Sequence, residues 1–372
     1  MCIYNEAIDM KIRIKKRKLK YYCVVMFALL GSLMFHADDT SNLDFLRYRD
    51  ILASLRTSNQ GFLDYLINSD TTTRWTNAVL PYAYAFNFLV YFVAKFFEND
   101  YVLSWISTLI DYSIIAYIAY DWRKESKYRK REALLIILTC FSLLPFMQVN
   151  SGIRTATSAC IMALALYKYL YRNKSVVSFA LLSTISVLFH PFTLFPILIA
   201  IVIKVFNSKI VFFTTLVGCL FLSQIASIFQ GSSIPFLRAL AIKYGTYTSD
   251  QQFRAYRFCL YGVLIISAIC IIYYFLFYRE KLDVAMNESK GTGDTIYLFL
   301  ISFCGFIIGN IGSYEIVVRN GYLLGALSPI IISMFYENSK DRNLSLIIRI
   351  MIWALVGFMT LEYIRYHYAF FI

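Results

Sequence analysis

Apolar runs of roughly 16 to 23 residues, each about long enough to cross a ~30 Å hydrocarbon core, follow one another along the chain. Short polar connections separate them. The pattern predicts helical spans near 20–36, 101–120, 132–150, 154–171, 175–190, 191–206, 210–229, 256–278, 294–313, 316–336 and 343–366. The longest polar stretches are Ala37–Thr76 and Gln230–Ala255. A further apolar segment, Asn77–Phe97, contains Pro81, Asn87 and several Tyr. It reads as a re-entrant or interfacial helix.

Charge supplies the orientation. KIRIKKRKLK (Lys11–Lys20) holds seven Lys or Arg, and DWRKESKYRKRE (Asp121–Glu132) holds six. Both are expected in the cytoplasm. Three crossings between them would put them on opposite sides, which is why Asn77–Phe97 is not counted. The expected fold is therefore an all-α integral membrane protein, a polytopic bundle of about 11–12 transmembrane helices. Residues 1–20 form a basic cytoplasmic N-terminus. Residues 21–372 form a single membrane domain, with periplasmic loops near 37–76 and 230–255. Lys11–Phe35 has the outline of a signal peptide, but no small-residue cleavage site follows cleanly, so an uncleaved first helix is expected.

Composition agrees. The 372 residues are 59% hydrophobic and 16% charged, with a mean hydropathy of +0.59. A soluble chain would be nearer half apolar and a quarter charged. The net charge of +13 sits in short loops and does not point to nucleic acid. Eight cysteines are scattered, mostly within apolar runs and with no CxxC pair, so they read as small apolar core residues.

Threading from Asp121 puts polar residues on the outer face. His36, His190 and His367 fall at outer ends of spans, as do Arg154 and Arg319. The loop with Asp38, Asp39 and Asp44 is also outside, as is the loop with Arg238, Lys243 and Arg254. Cations at a membrane lip are costly and need a reason. Arginine suits phosphate, because its planar fork stays charged and donates parallel hydrogen bonds. The bland alternative for each arginine is an interfacial anchor. His190, before the helix-breaking Pro191, could deprotonate a sugar hydroxyl; otherwise it is a hydrogen-bonded structural histidine. Asp38, Asp39 and Asp44 are a base, a sugar contact or a solvated loop. Asp111, mid-span, is expected to pair with a buried Arg, Tyr or Asn. Thr155, Ala159 and Ala163 form a small-residue series that lets helices approach closely, which predicts a central helix. No Walker, GxSxG, HExxH or dinucleotide motif is present, and the histidines lack metal-ligand spacing. No metal or cofactor is expected.

Five short motifs follow one another in order: DDTSNLDFLRYRD, GIRTATSACIMALAL, VLFHPF, KYGTY and VVRNGYLL. Over most of its length the chain resembles the EpsG-type and Wzy polymerases of bacterial surface polysaccharides. The family's usual Gln after the first motif arginine is Thr155 here, and a glycine common before the first-loop Asp is missing.

The resemblance implies a membrane glycosyltransferase of GT-C-like architecture at the periplasmic face of the inner membrane. It would act in O-antigen, lipopolysaccharide or related polysaccharide biosynthesis. Such an enzyme moves a glycan from undecaprenyl pyrophosphate onto another lipid-linked repeat unit, without a cofactor. Its partners would be those lipid-linked oligosaccharides, the bilayer and a chain-length regulator protein. By position, Arg154, Arg319, Tyr322, Lys243, Tyr244 and Tyr247 would bind pyrophosphate or glycan, and His190, Asp38 or Asp39 would activate the acceptor. A lipid-linked oligosaccharide flippase, an O-antigen ligase and a membrane acyltransferase are the competing readings.

Overall fold

The computed structural model describes residues 28–37, 44–59, 61–68, 83–123, 146–205, 257–278, 292–311 and 313–331. It also describes short pieces at 22, 25–26, 144, 214–215, 217–218, 228–234, 238, 241–242, 346, 350, 353–354, 357–358 and 361. Among the described residues there are helices and no strands. They are α1 (Asp44–Thr57), α2 (Phe62–Asn68), α3 (Tyr84–Phe96), α4 (Val102–Arg123), α5 (Phe146–Ser151) and α6 (Ile153–Leu166). There follow α7 (Val176–Phe189), α8 (Leu194–Val205), α9 (Arg257–Tyr273), α10 (Thr292–Gly309) and α11 (Tyr314–Ala326).

Among the described residues one helix, Val102–Trp122, is long and apolar enough to cross a membrane. Shorter apolar helices cover Val176–Phe189, Pro191–Val205, Tyr261–Leu276 and Thr295–Gly309. Their outer surfaces are apolar too. Val177, Leu181 and Ile185 are exposed in one stripe of α7, and Leu198, Ile201 and Val205 in one stripe of α8. Exposed apolar stripes at helical spacing suit lipid, not water.

Helix α6 lies at the centre, packed against α4, α5, α7 and α11. Ala156, Ala159 and Ala163 are fully buried, so small side chains let the neighbours come close. The helix continues as a π turn, Tyr167–Tyr171. Asn173 then turns the chain with φ 48°, a left-handed conformation that Asn tolerates. Arg172 closes this end, with Nε donating to Asp121 Oδ2 at 2.7 Å and Nη2 to the Asp121 carbonyl at 3.0 Å.

Helix α1 buries Phe45, Tyr48, Leu52 and Leu55 on one face and packs on α3. Its orphan C-terminal carbonyls are capped by a neighbour. Lys95 Nζ donates to Leu55 O at 2.8 Å and to Ser58 O at 2.9 Å. Arg56 reaches the Phe97 carbonyl and Asp100 Oδ1. Helix α3 has 13 residues, about 20 Å at 1.5 Å each, short of a ~30 Å core. It turns Tyr84, Phe88, Phe92 and Phe96 outward.

Of the expected spans, 132–143, most of 210–229 and nearly all of 343–366 lie outside the described residues.

Candidate functional site

Helix α7 ends where the sequence says it should. Pro191 cannot donate a backbone hydrogen bond, and His190 leaves the helix with extended backbone, φ −157° and ψ 126°. A 3-10 turn, Pro191–Thr193, leads into α8. Hydroxyls fix this corner. Ser158 Oγ donates to Ser186 O, and Ser186 Oγ to Ser158 O, both at 2.8 Å. Thr193 Oγ1 donates to the His190 carbonyl at 3.1 Å.

The imidazole is buried, 6% exposed, and has a close neighbour at each ring nitrogen. Phe192 N lies 3.2 Å from Nδ1. Arg319 Nη1 lies 2.9 Å from Nε2. A guanidinium can only donate, and a neutral imidazole accepts at one nitrogen. With Nε2 accepting from Arg319, the ring proton sits on Nδ1, and the Phe192 N–H is a neighbour there and not a hydrogen-bond donor. Arg319 is held from its other side by Glu315, one turn earlier on α11, with Nε donating to Oε2 at 2.9 Å.

Arg154, in the first turn of α6, enters from the other wall. Its Nε donates to Tyr48 Oη on α1 at 3.1 Å. Its guanidinium carbon stands 5.9 Å from the Tyr48 ring centroid and 5.6 Å from that of Phe86 on α3. Such ring faces attract a cation. Among the described residues Arg154 has no ion pair, yet it feels the charges of Asp44 and Arg319. Burial holds the Tyr48 phenol above its ordinary range; the Arg154 charge opposes this and Asp44 adds to it. Tyr48 is thus a neutral acceptor for the arginine.

The structure therefore pairs Arg319 with His190 and places Arg154 one turn before Ser158, whose hydroxyl donates to the His190 carbonyl at 3.2 Å. Tyr322 lies one turn beyond Arg319 on α11 and is buried. Asp38, Asp39, Lys243, Tyr244, Tyr247 and His367 lie outside the described residues. His36 stacks on Tyr101, with ring centroids 6.3 Å apart.

Tyr48, Phe86 and Glu315 were not picked from the sequence. Glu315-x-x-x-Arg319 carried a signal, since residues four apart on a helix meet. Tyr48 lay within the first motif without a distinguishing pattern. Phe86 is one aromatic among many.

Two cations held at a helix junction by neutral groups and a single carboxylate can grip a dianion such as pyrophosphate. A model of the EpsG family matches residues 20–372, nearly the whole chain. The chain belongs to the EpsG family. No curated protein and no solved structure matches it. As an EpsG-family chain with apolar-faced helices, it is a Wzy-like polymerase or a related glycan-processing membrane protein. Among its described residues no cluster of three or more His, Cys, Asp or Glu could hold a metal ion.

Proposed function

We propose that this EpsG-family protein is a polysaccharide polymerase of GT-C-like architecture in the bacterial inner membrane. It transfers a glycan from undecaprenyl pyrophosphate to a second lipid-linked repeat unit at the periplasmic face. The observation that carries this reading is the Arg319–His190 contact, which the bond from Ser158 to the His190 carbonyl sets beside the end of α6 that carries Arg154. Arg154, His190 and Arg319 come from separate helices whose polar ends the charge pattern puts on one side of the membrane.

In this mechanism Arg154 and Arg319 hold the donor pyrophosphate. Among the described residues Arg154 bonds through Nε, to Tyr48, and its Nη groups would take phosphate oxygens. The acceptor hydroxyl oxygen attacks the anomeric carbon, and the bond from that carbon to the pyrophosphate oxygen breaks. Undecaprenyl pyrophosphate leaves with the bonding pair, and the two guanidinium groups stabilise the added charge. The acceptor proton passes to His190 Nε2, which becomes available once the phosphate draws Arg319 Nη1 away. Glu315 then keeps Arg319 from swinging free. Asp38, Asp39 and the loop with Lys243, Tyr244 and Tyr247 would border the glycan.

The test is glycan length in cells. Arg154→Ala and Arg319→Ala, at normal protein level, are expected to leave single repeats on the surface and no long chains. Normal chain length in both variants would overturn the assignment. Accumulation of repeat units on the cytoplasmic side would point to a flippase instead. Intact polymer that stays on its lipid carrier would point to a ligase.

A further inference from the structure

Ser104, Ser107, Thr108 and Asp111 fall at i, i+3, i+4 and i+7 of α4, which is one stripe of a helix. All four are fully buried. The first part of the stripe is satisfied. Ser104 Oγ donates to the Asn150 carbonyl at 2.7 Å, Thr108 Oγ1 to Ser32 Oγ at 3.2 Å, and Ser32 to Asn150 Oδ1. The second part is different. Asp111 Oδ2 lies 3.3 Å from Thr157 Oγ1 and 3.5 Å from Ser107 Oγ, and the two hydroxyls meet at 2.6 Å. Oδ1 has no hydrogen-bond partner among the described residues. The partners are thus two hydroxyls and not the Arg, Tyr or Asn the sequence led one to expect.

An ionised carboxylate in apolar surroundings needs a cation or several close donors. Among the described residues the groups that reach Asp111 are Ser107 and Thr157. The charged or titratable groups on the elements around it are engaged elsewhere. Arg154 on α6 serves Tyr48, Lys95 on α3 serves α1, and Tyr112 on α4 donates to the Leu144 carbonyl. Asp121 and Arg172 pair at the far end of α4. A neutral acid fits this environment. The three contacts among Oδ2, Ser107 Oγ and Thr157 Oγ1 need three protons. The two hydroxyls bring two, and a proton on Oδ2 supplies the third, leaving Oδ1 as the carbonyl. A bare metal cation would draw in more oxygens than these three side chains offer.

We propose that Asp111, Ser107 and Thr157 form a buried binding site for one exchangeable proton, set between α4 and α6, one turn along α6 from Arg154. The hydroxyl pair is the route by which the proton exchanges. Loaded, the site lets α4 and α6 pack without a bare charge between them.

Infrared spectroscopy on the full chain in lipid tests this without reference to glycan transfer. At neutral pH the wild type should show a protonated-carboxyl band that shifts on transfer to heavy water. Asp111→Asn should lack it. Thr157→Val, which keeps the carboxyl, should move the band through loss of one hydroxyl partner. This second variant decides the matter if Asp111→Asn does not fold. Absence of the band in the wild type, or a band unchanged in both variants, would overturn the proposal. So would loss of the band on adding sodium at constant pH, which would make the site one for a metal cation.

Discussion

Arg319 Nη1 and His190 Nε2 lie 2.9 Å apart, although 129 residues separate them in sequence. The contact ties α11 to the corner between α7 and α8 and defines what each group can do. While it stands, His190 cannot take a proton at Nε2, and Arg319 has Nε on Glu315. Ligand binding must rearrange it.

A first prediction follows for Arg319→Lys. The ammonium keeps the charge but lacks the fork that serves Glu315, His190 and phosphate together. Glycan transfer should fall about 100-fold, as when one preorganised charge-stabilising donor is removed. Initial rates measured at equal protein level check it. An unchanged rate would show that the fork is not used.

Tyr48→Phe removes the acceptor for Arg154 Nε but keeps the ring under the guanidinium. Loss of one charge-assisted hydrogen bond is worth about 1.5–3 kcal/mol. Part of it returns when phosphate takes the freed donor. Donor KM should rise by about tenfold, with 1.4 kcal/mol per factor of ten, and kcat should change less. Tyr48→Leu, which loses the ring as well, should be worse.

Gly321→Ala tests the packing beneath the site. An added Cβ would stand 2.5 Å from Val263 Cγ2 on α9. Both residues are buried in packed helices, so overpacking should cost about 1–3 kcal/mol. The double variant Gly321→Ala with Val263→Ala should recover much of that. Thermal unfolding of the purified protein is the readout.

The tether of α1 gives a fourth prediction. Arg56→Ala removes the 2.6 Å pair with Asp100 and the bond to the Phe97 carbonyl. Hydrogen exchange should quicken across Asp44–Thr57 and stay unchanged in α6. An equal change in both would mean that the tether supports the whole bundle.

Much of this arrangement was legible in the sequence because the bilayer writes strong signals. Arg154 before a small-residue series, His190 before Pro191 and Arg319 among polar neighbours stand out against apolar runs. Threading puts them on one side, and α6 packs against α7 and α11, the helices that carry the other two. The partners were not legible. Tyr48 is in an amphipathic helix with ordinary spacing, and Phe86 is one ring among many in Asn77–Phe97. What pairs with them depends on how α1 folds back onto α3, which Lys95 and Arg56 decide through bonds to backbone carbonyls. Such bonds leave no residue pattern. The hydroxyl partners of Asp111 were hidden for a similar reason, since Ser and Thr within apolar helices signal close packing as readily as polar contact.

The central claim is that Arg154 and Arg319 grip the leaving pyrophosphate. Its most direct test is transfer by the purified protein in liposomes carrying undecaprenyl-pyrophosphate oligosaccharide, with free undecaprenyl pyrophosphate measured as the product. The account predicts release coupled to chain growth in the wild type, and loss of both in Arg154→Ala and Arg319→Ala while the protein stays folded. Wild-type rates in either variant would contradict it.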